Sequence, residues 1–174
     1  MSNVTKRGAC LVFAFLISAC SGASFAPGAN TGAAANREMP NTGGGSFTAT
    51  SSGNYTFSDC TASGNGRLKF SGNGRASYLH RVNESGALKG KNYPPHCVWS
   101  GTATLTSRHH KANSVTFSLG LNGSRYSNPC NNALGYVVKR GTGKFAKASG
   151  YGTVTLSCTN SGMYLDDWSG TLTY

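Results

Sequence analysis

The run Val115-Thr116-Phe117-Ser118-Leu119-Gly120-Leu121 alternates strictly, with Val, Phe and two Leu on one side and small or polar residues on the other. Only an extended chain has a period of two, so this run is a strand with one buried and one solvated face. The same pattern recurs in Arg67-Leu68-Lys69-Phe70, in Trp99-Ser100-Gly101-Thr102-Ala103-Thr104-Leu105 and in Thr153-Val154-Thr155-Leu156-Ser157-Cys158. Further strand candidates are Tyr55 to Ser58, Ala76 to Val82, Leu134 to Lys139 and Trp168 to Tyr174. Turn signals separate the runs: Ser63-Gly64-Asn65-Gly66, Gly72-Asn73-Gly74, Asn122-Gly123 and Gly141-Thr142-Gly143. Gly, Ser, Thr and Asn dominate, and no long stretch carries a helical period. Short half-buried strands at this density predict an all-β fold: an antiparallel barrel of about eight strands, with a β-sandwich as the alternative.

The strands occupy only residues 46–174, the expected barrel domain. Residues 1–19 read as a secretory signal peptide: Lys6 and Arg7 precede the apolar run Ala9 to Ala19, and small residues follow. A helix over that run would rise about 16 Å, too short for a bilayer core of about 30 Å. The run ends in Leu16-Ile17-Ser18-Ala19-Cys20, which resembles the bacterial lipobox of an aliphatic residue, two small residues and a Cys. The resemblance implies diacylglycerol on the Cys20 thiol, cleavage just before it and acylation of the new amine. The other reading is an ordinary signal peptide with an incidental Cys. Two or three acyl chains would anchor the chain stably to a membrane. The expected location is the cell envelope, and the resemblance to enterobacterial lipoproteins, in which a residue other than Asp after the Cys directs outward sorting, implies the outer membrane for Ser21 if the host is Gram-negative. Residues 20–45 are poor in apolar side chains and rich in Gly, Ala, Asn, Ser and Thr, the composition of a flexible tether.

Cys10 falls in the leader and Cys20 at the lipobox, which leaves Cys60, Cys97, Cys130 and Cys158. An even set in an oxidising compartment predicts two disulfides, with three connectivities open. Pairing of neighbours, Cys60 with Cys97 and Cys130 with Cys158, is expected because each bond would tie one half of an internal echo. In that echo Trp99-Ser100-Gly101-Thr102 recurs as Trp168-Ser169-Gly170-Thr171, and Ala62-Ser63-Gly64-Asn65-Gly66 as Ala148-Ser149-Gly150-Tyr151-Gly152. The echo reflects either reused turn chemistry or a pseudo-repeated barrel with its two Trp rings in matching places. There is no Cys-x-x-Cys and no close Cys/His spacing, so no zinc site is expected.

Residues Val137 to Gly152, read through Gly141-Thr142-Gly143-Lys144-Phe145-Ala146-Lys147-Ala148-Ser149-Gly150, resemble the GTGxFxxAxG segment of dirigent proteins. Dirigent proteins and allene oxide cyclases share an eight-stranded antiparallel barrel, so the resemblance implies that fold. It implies a plug at the barrel end for Phe145, and close backbone approach at Ala148 and Gly150. No acidic and basic pocket residues match, so neither chemistry is carried over to a named residue.

The search for catalytic groups is thin. The carboxylates are Glu38, Asp59, Glu84, Asp166 and Asp167. Asp166 and Asp167 would point to opposite faces of a strand, and they are expected in a solvated turn rather than flanking one bond. His109-His110 sits between Arg108 and Lys111, which disfavours a bound cation, and His80 and His96 read as surface or structural residues. No Gly-x-Ser-x-Gly elbow, glycine-rich phosphate loop, metal set or cofactor motif is present. Charge is the remaining signal. Without Lys6 and Arg7 the 16 Lys and Arg fall to 14 against 5 Asp and Glu, a formal +9. Such a field attracts polyanions. The expected partners are the membrane, through the lipid, and an anionic polymer or lipid headgroups. Arg67, Lys69, Arg81, Lys89, Lys91 and Arg125 are the candidate contacts. An oligonucleotide is not expected, because most aromatics read as core. A non-catalytic binding role is the first expectation. The alternatives are dirigent- or cyclase-like action on an apolar molecule inside the barrel, or a structural or host-interaction surface protein.

Overall fold

An alternating strand gains from its apolar face only when something covers that face, and here the rest of the same sheet covers it. The computed structural model describes residues 43–61, 64–93, 96–120 and 128–174. Its strands are β1 (Gly44–Ser58), β2 (Gly66–Ala76), β3 (His80–Tyr93), β4 (His96–Ser107), β5 (Ser114–Gly120), β6 (Asn132–Thr142), β7 (Tyr151–Cys158) and β8 (Met163–Thr173). Each pairs antiparallel with the next, and β8 pairs back onto β1 from Gly44↔Thr173 to Asn54↔Met163. The expected barrel forms, and the sandwich does not. Closure leaves no strand edge for another chain to extend. Cys60 bonds to Cys97 and Cys130 to Cys158, the neighbour pairing. Both bonds lie at the end of the barrel that carries the β1–β2 and β7–β8 connections.

An eight-stranded barrel has an interior just wide enough to be filled by side chains. The rings of Phe47, Phe117, Tyr136 and Trp168 meet one another in its middle. Phe57 stacks on Trp99 nearer the disulfide end, and Phe70 meets Tyr164 edge-on. Rings of this size fit because inward-facing glycines stand opposite them. A Cβ at Gly66 or Gly90 would overlap Trp99, and one at Gly86 would overlap Phe70. A Cβ at Gly152 or Gly170 would overlap Tyr136, and one at Gly72 would meet the Tyr164 hydroxyl. Glycine inside a strand thus marks close approach of a ring, not a weak strand.

This corrects the reading of Gly72-Asn73-Gly74 as a turn. Those residues continue β2, paired to β1 through Gly53↔Gly72 and Ser51↔Gly74 and to β3 through Gly72↔Glu84. The actual β2–β3 turn is at residues 77–79, in the middle of the expected strand Ala76 to Val82. Leu79 is buried and pulls that turn over the barrel mouth, while Tyr78 and His80 take positive φ of 65° and 61°. The echo is not an architectural repeat. Its Ser-Gly-x-Gly elements precede β2 and β7, and its Trp residues lie on β4 and β8, so two strands separate one pair and one strand the other.

The end opposite the disulfides is closed by a 3₁₀ turn at Gly143–Phe145. Gly143 enters it at φ 59°, and Phe145 is fully buried against Tyr174, which also meets Tyr78. Phe145 therefore does plug a barrel end. β1 begins at Gly44, two residues before the expected domain start. Cys10, Cys20, the leader and residues 20–42 of the expected tether lie outside the described residues.

The ring-over-glycine fit gives a direct test. Gly86→Ala should cost about 1–3 kcal/mol by overpacking Phe70. Adding Phe70→Leu should recover part of that loss in urea unfolding, whereas simple additivity of the two costs would show that ring and glycine are not coupled.

Candidate functional site: a cationic outer face and a buried acid pair

Two groups of polar residues stand out, one on each side of the barrel wall. On the outside, alternation turns Arg67, Lys69 and Arg75 of β2 and Arg81, Lys89 and Lys91 of β3 to solvent, and all six are exposed. The register sets Arg67 directly opposite Lys89. Lys69 and Lys91 are each two residues further along their own strands, about 7 Å away. Four of the expected contacts, Arg67, Lys69, Lys89 and Lys91, are thus one cluster. Tyr93 is half-exposed beside it, with Lys91 Nζ 5.0 Å from its ring centroid. Arg81 is on the same face at the opposite end, facing Arg75. Arg125 lies outside the described residues.

No outward position of β1, β2, β3 or β4 carries a carboxylate. The reason lies inside the barrel. Two of the chain's five carboxylates, Glu84 and Asp166, point into the interior and are 3% and 0% exposed. Asp166 does not sit in a solvated turn. It is on β8, while Asp167 beside it faces out, as opposite-facing neighbours on a strand must. The parity was readable: Tyr164, Asp166, Trp168 and Leu172 share one face of β8, and Val82, Glu84 and Leu88 one face of β3. A polar residue in an apolar series of period two belongs to the same buried face.

Glu84 and Asp166 come from strands separated by β1 and β2. They meet because β2 presents Gly72 and Gly74 between them, and a Cβ on Gly74 would strike Ser51 Oγ. The Tyr164 hydroxyl donates to Glu84 Oε2 at 3.0 Å, and the Ser51 backbone N–H donates to Asp166 Oδ1 at 2.7 Å. Apart from each other, Glu84 Oε1 and Asp166 Oδ2 have no hydrogen-bond partner. Burial pushes the Glu84 carboxyl up to about 9, and the neighbouring Asp166 adds to the shift. Burial also raises Asp166, but the Glu84 proton, the Trp168 indole and the Ser51 amide all pull it back toward the charged form. Glu84 therefore keeps its proton at neutral pH and shares it with Asp166. Trp168 Nε1 stands toward Asp166 and Ser51 Oγ toward Glu84 without closing hydrogen bonds. Burial and the two acids push the Tyr164 phenol well up, and burial alone takes Tyr136 to about 12.

A protonated carboxyl beside a second carboxyl makes a general-acid arrangement in an open cleft. In the closed barrel neither carboxyl has the exposed surface that would touch a substrate, and the pair acts on the stability of the barrel itself. Among the described residues no group of three or more His, Cys, Asp or Glu is placed to hold a metal ion. The exposed large apolar side chains are dispersed as Tyr93 and Val98, Val137 and Tyr151, and Met163 and Leu165. The second pair borders a shallow groove of about 460 Å³ on the outer wall of β5, β6 and β7. Comparison with protein-family models, with curated proteins and with solved structures returns no match.

The acid pair sets a pH dependence. The folded barrel keeps the Glu84 proton up to about pH 9, whereas the unfolded chain releases it near 4.5. Unfolding in that window releases a proton, so this contribution to stability is full below about pH 4.5 and is lost as pH rises toward 9. Glu84→Gln keeps an acceptor for Tyr164 and a donor for Asp166. It should flatten the decline and leave the variant more stable than the parent at pH 8 in denaturant titrations. A parent whose stability does not fall between pH 5 and pH 8 would contradict the shared proton.

Proposed function

We propose that this is an exported, lipid-anchored binding protein of the cell envelope that captures an anionic polymer or an anionic headgroup surface on the outer face of β2 and β3. The observation that carries the reading is the cluster Arg67, Lys69, Lys89 and Lys91, within one hairpin and with no carboxylate among the outward positions of β1 to β4. Two properties of the fold support a surface role. The interior is occupied by interlocked rings, which leaves the outer wall as the binding surface. Sequestering Glu84 and Asp166 also makes the exterior more positive than the composition implies. Cations at about 5–7 Å intervals on a rigid sheet suit a ligand with repeated negative charge, because each added contact needs no further ordering of the protein.

The anchoring half of the reading rests on the lipobox-like Ile17-Ser18-Ala19-Cys20 and the tether that follows. Among the described residues no helix is long and apolar enough to cross a membrane. A lipid on Cys20 would hold the barrel near the charged polymers and headgroups that its outer face suits.

Binding to immobilised polyuronate and to vesicles containing anionic lipid should weaken steeply between 50 and 200 mM salt. Lys89→Ala with Lys91→Ala should cost about 2 kcal/mol on anionic vesicles, or roughly thirtyfold, at about 1 kcal/mol for each cation near the surface. Absence of retention on either matrix at low salt would overturn the polyanion reading. Acyl-chain labelling should survive Cys10→Ala and disappear in Cys20→Ala; labelling that persists without Cys20 would remove the anchor.

A further inference from the structure

The cations at the other end of the β2–β3 face form a different kind of site. Arg75 is six residues along β2 from Lys69, about 20 Å of extended chain, so the two groups do not share a ligand atom. The register places Arg75 directly opposite Arg81 on the solvent side. Like charges in that relation destabilise a sheet. The connection after β4 runs alongside β3 here, with Arg108 N–H donating to the Arg81 carbonyl at 2.8 Å. His80 and His109 complete the surroundings. Arg75, Ala76, His80, Arg81 and His109 line a cavity of about 410 Å³, and none of them is acidic.

The walls of this cavity are held in place from several sides. The β2–β3 turn is pinned to β1: Ser77 Oγ accepts from Thr48 N–H and donates to the Thr48 carbonyl, each at 3.0 Å. Tyr78 Oη donates to the Ser46 carbonyl at 3.0 Å, and Leu79 is inserted into the barrel mouth. His80 is held at φ 61° where the chain leaves that turn. On the facing side, Ser107 N–H donates to the Asn113 carbonyl at 3.0 Å and Asn113 N–H to the His110 carbonyl at 2.7 Å, which closes the β4–β5 connection on itself. Two guanidinium groups and two imidazoles are therefore gathered on rigid backbone with no counter-charge among the described residues that line the cavity. Like charges in such an arrangement repel one another, and a bound anion offsets that repulsion. Paired arginines supply forked donors suited to a tetrahedral oxyanion.

We propose that the cavity between the β2–β3 turn and the β4–β5 connection is a binding site for a single phosphate group, either the free ion or the terminal group of a phosphate monoester. Arg75 and Arg81 grip its oxygens, and His80 and His109 close the sides. The site does not depend on the polyanion reading: it uses different residues and takes one compact dianion rather than a chain of charges.

The test is a titration of the intact exported chain with inorganic phosphate and, separately, with glucose 6-phosphate, at ionic strength held constant with chloride. It is followed by the imidazole signals of His80 and His109 and by calorimetry. Both signals should move saturably with at least one of the two ligands. Arg75→Ala and Arg81→Ala should each weaken binding by about tenfold or more, since a charge-assisted hydrogen bond is lost. Arg75→Lys, which keeps the charge already tolerated at that position but loses the fork, should weaken it too and covers the case of a poorly folded alanine variant. Tighter binding of glucose 6-phosphate identifies an ester on a larger molecule as the natural carrier, and equal affinity identifies the free ion. Lys89→Ala with Lys91→Ala should leave both titrations unchanged while it reduces polyanion retention, so the two readings fail separately. Shifts that do not saturate, that sodium chloride reproduces, or that survive the arginine variants would overturn the site.

Discussion

The fit of aromatic rings over inward glycines is the constraint on which the rest of this barrel depends. A sheet of eight strands closes around a space of nearly fixed width, and that space has to be filled at crystal-like density. Here the filling is done by large rings, several of which need a missing Cβ on a neighbouring strand. Trp99 lies over Gly66 and Gly90, Tyr136 over Gly152 and Gly170, and Phe70 over Gly86. These pairs also fix register, because a slip of one residue would turn every glycine outward and drive side chains into the rings.

The buried acids follow from the same rule. Tyr164 and the side chain of Glu84 converge above β2 only because Gly72 and Gly74 leave that stretch of wall bare. A carboxyl in such a place keeps its proton, and the second carboxyl beside Glu84 pushes it further toward the protonated form. Removal of Glu84 and Asp166 from the surface has an outward effect as well. The outward positions of β1 to β4 hold cations and no carboxylate, and the exterior field is stronger than the count of charged residues suggests.

The two ends of the barrel are built differently. One is tied by two disulfides across its connecting segments, which limits the freedom of the unfolded chain. The other is closed noncovalently by Leu79, Phe145 and Tyr174 and carries the tight turns that shape the arginine–histidine cavity. A binding pocket belongs naturally at that second end. Its walls are short, hydrogen-bonded connections anchored by buried apolar residues, a rigid support for charges that repel one another.

Much of the architecture was legible in residue order. Period-two alternation around Phe117, Leu156 and Leu68 specified half-buried antiparallel strands, and an even set of four cysteines matched two bonds between neighbours. These signals are local, and a strand's alternation does not depend on its partner. The inward place of Asp166 was also written locally, in its spacing from Trp168 and Leu172. What only the tertiary structure decided was pairing. Gly72-Asn73-Gly74 has the composition of a turn, and it becomes strand because Tyr164 of β8 reaches over Gly72 and Ser51 Oγ of β1 lies against Gly74. Moving the turn to residues 77–79 is what sets Arg75 against Arg81 and Arg67 against Lys89. Contacts between residues far apart in sequence depend on register, and register is set by how the whole interior fills, which no single segment encodes.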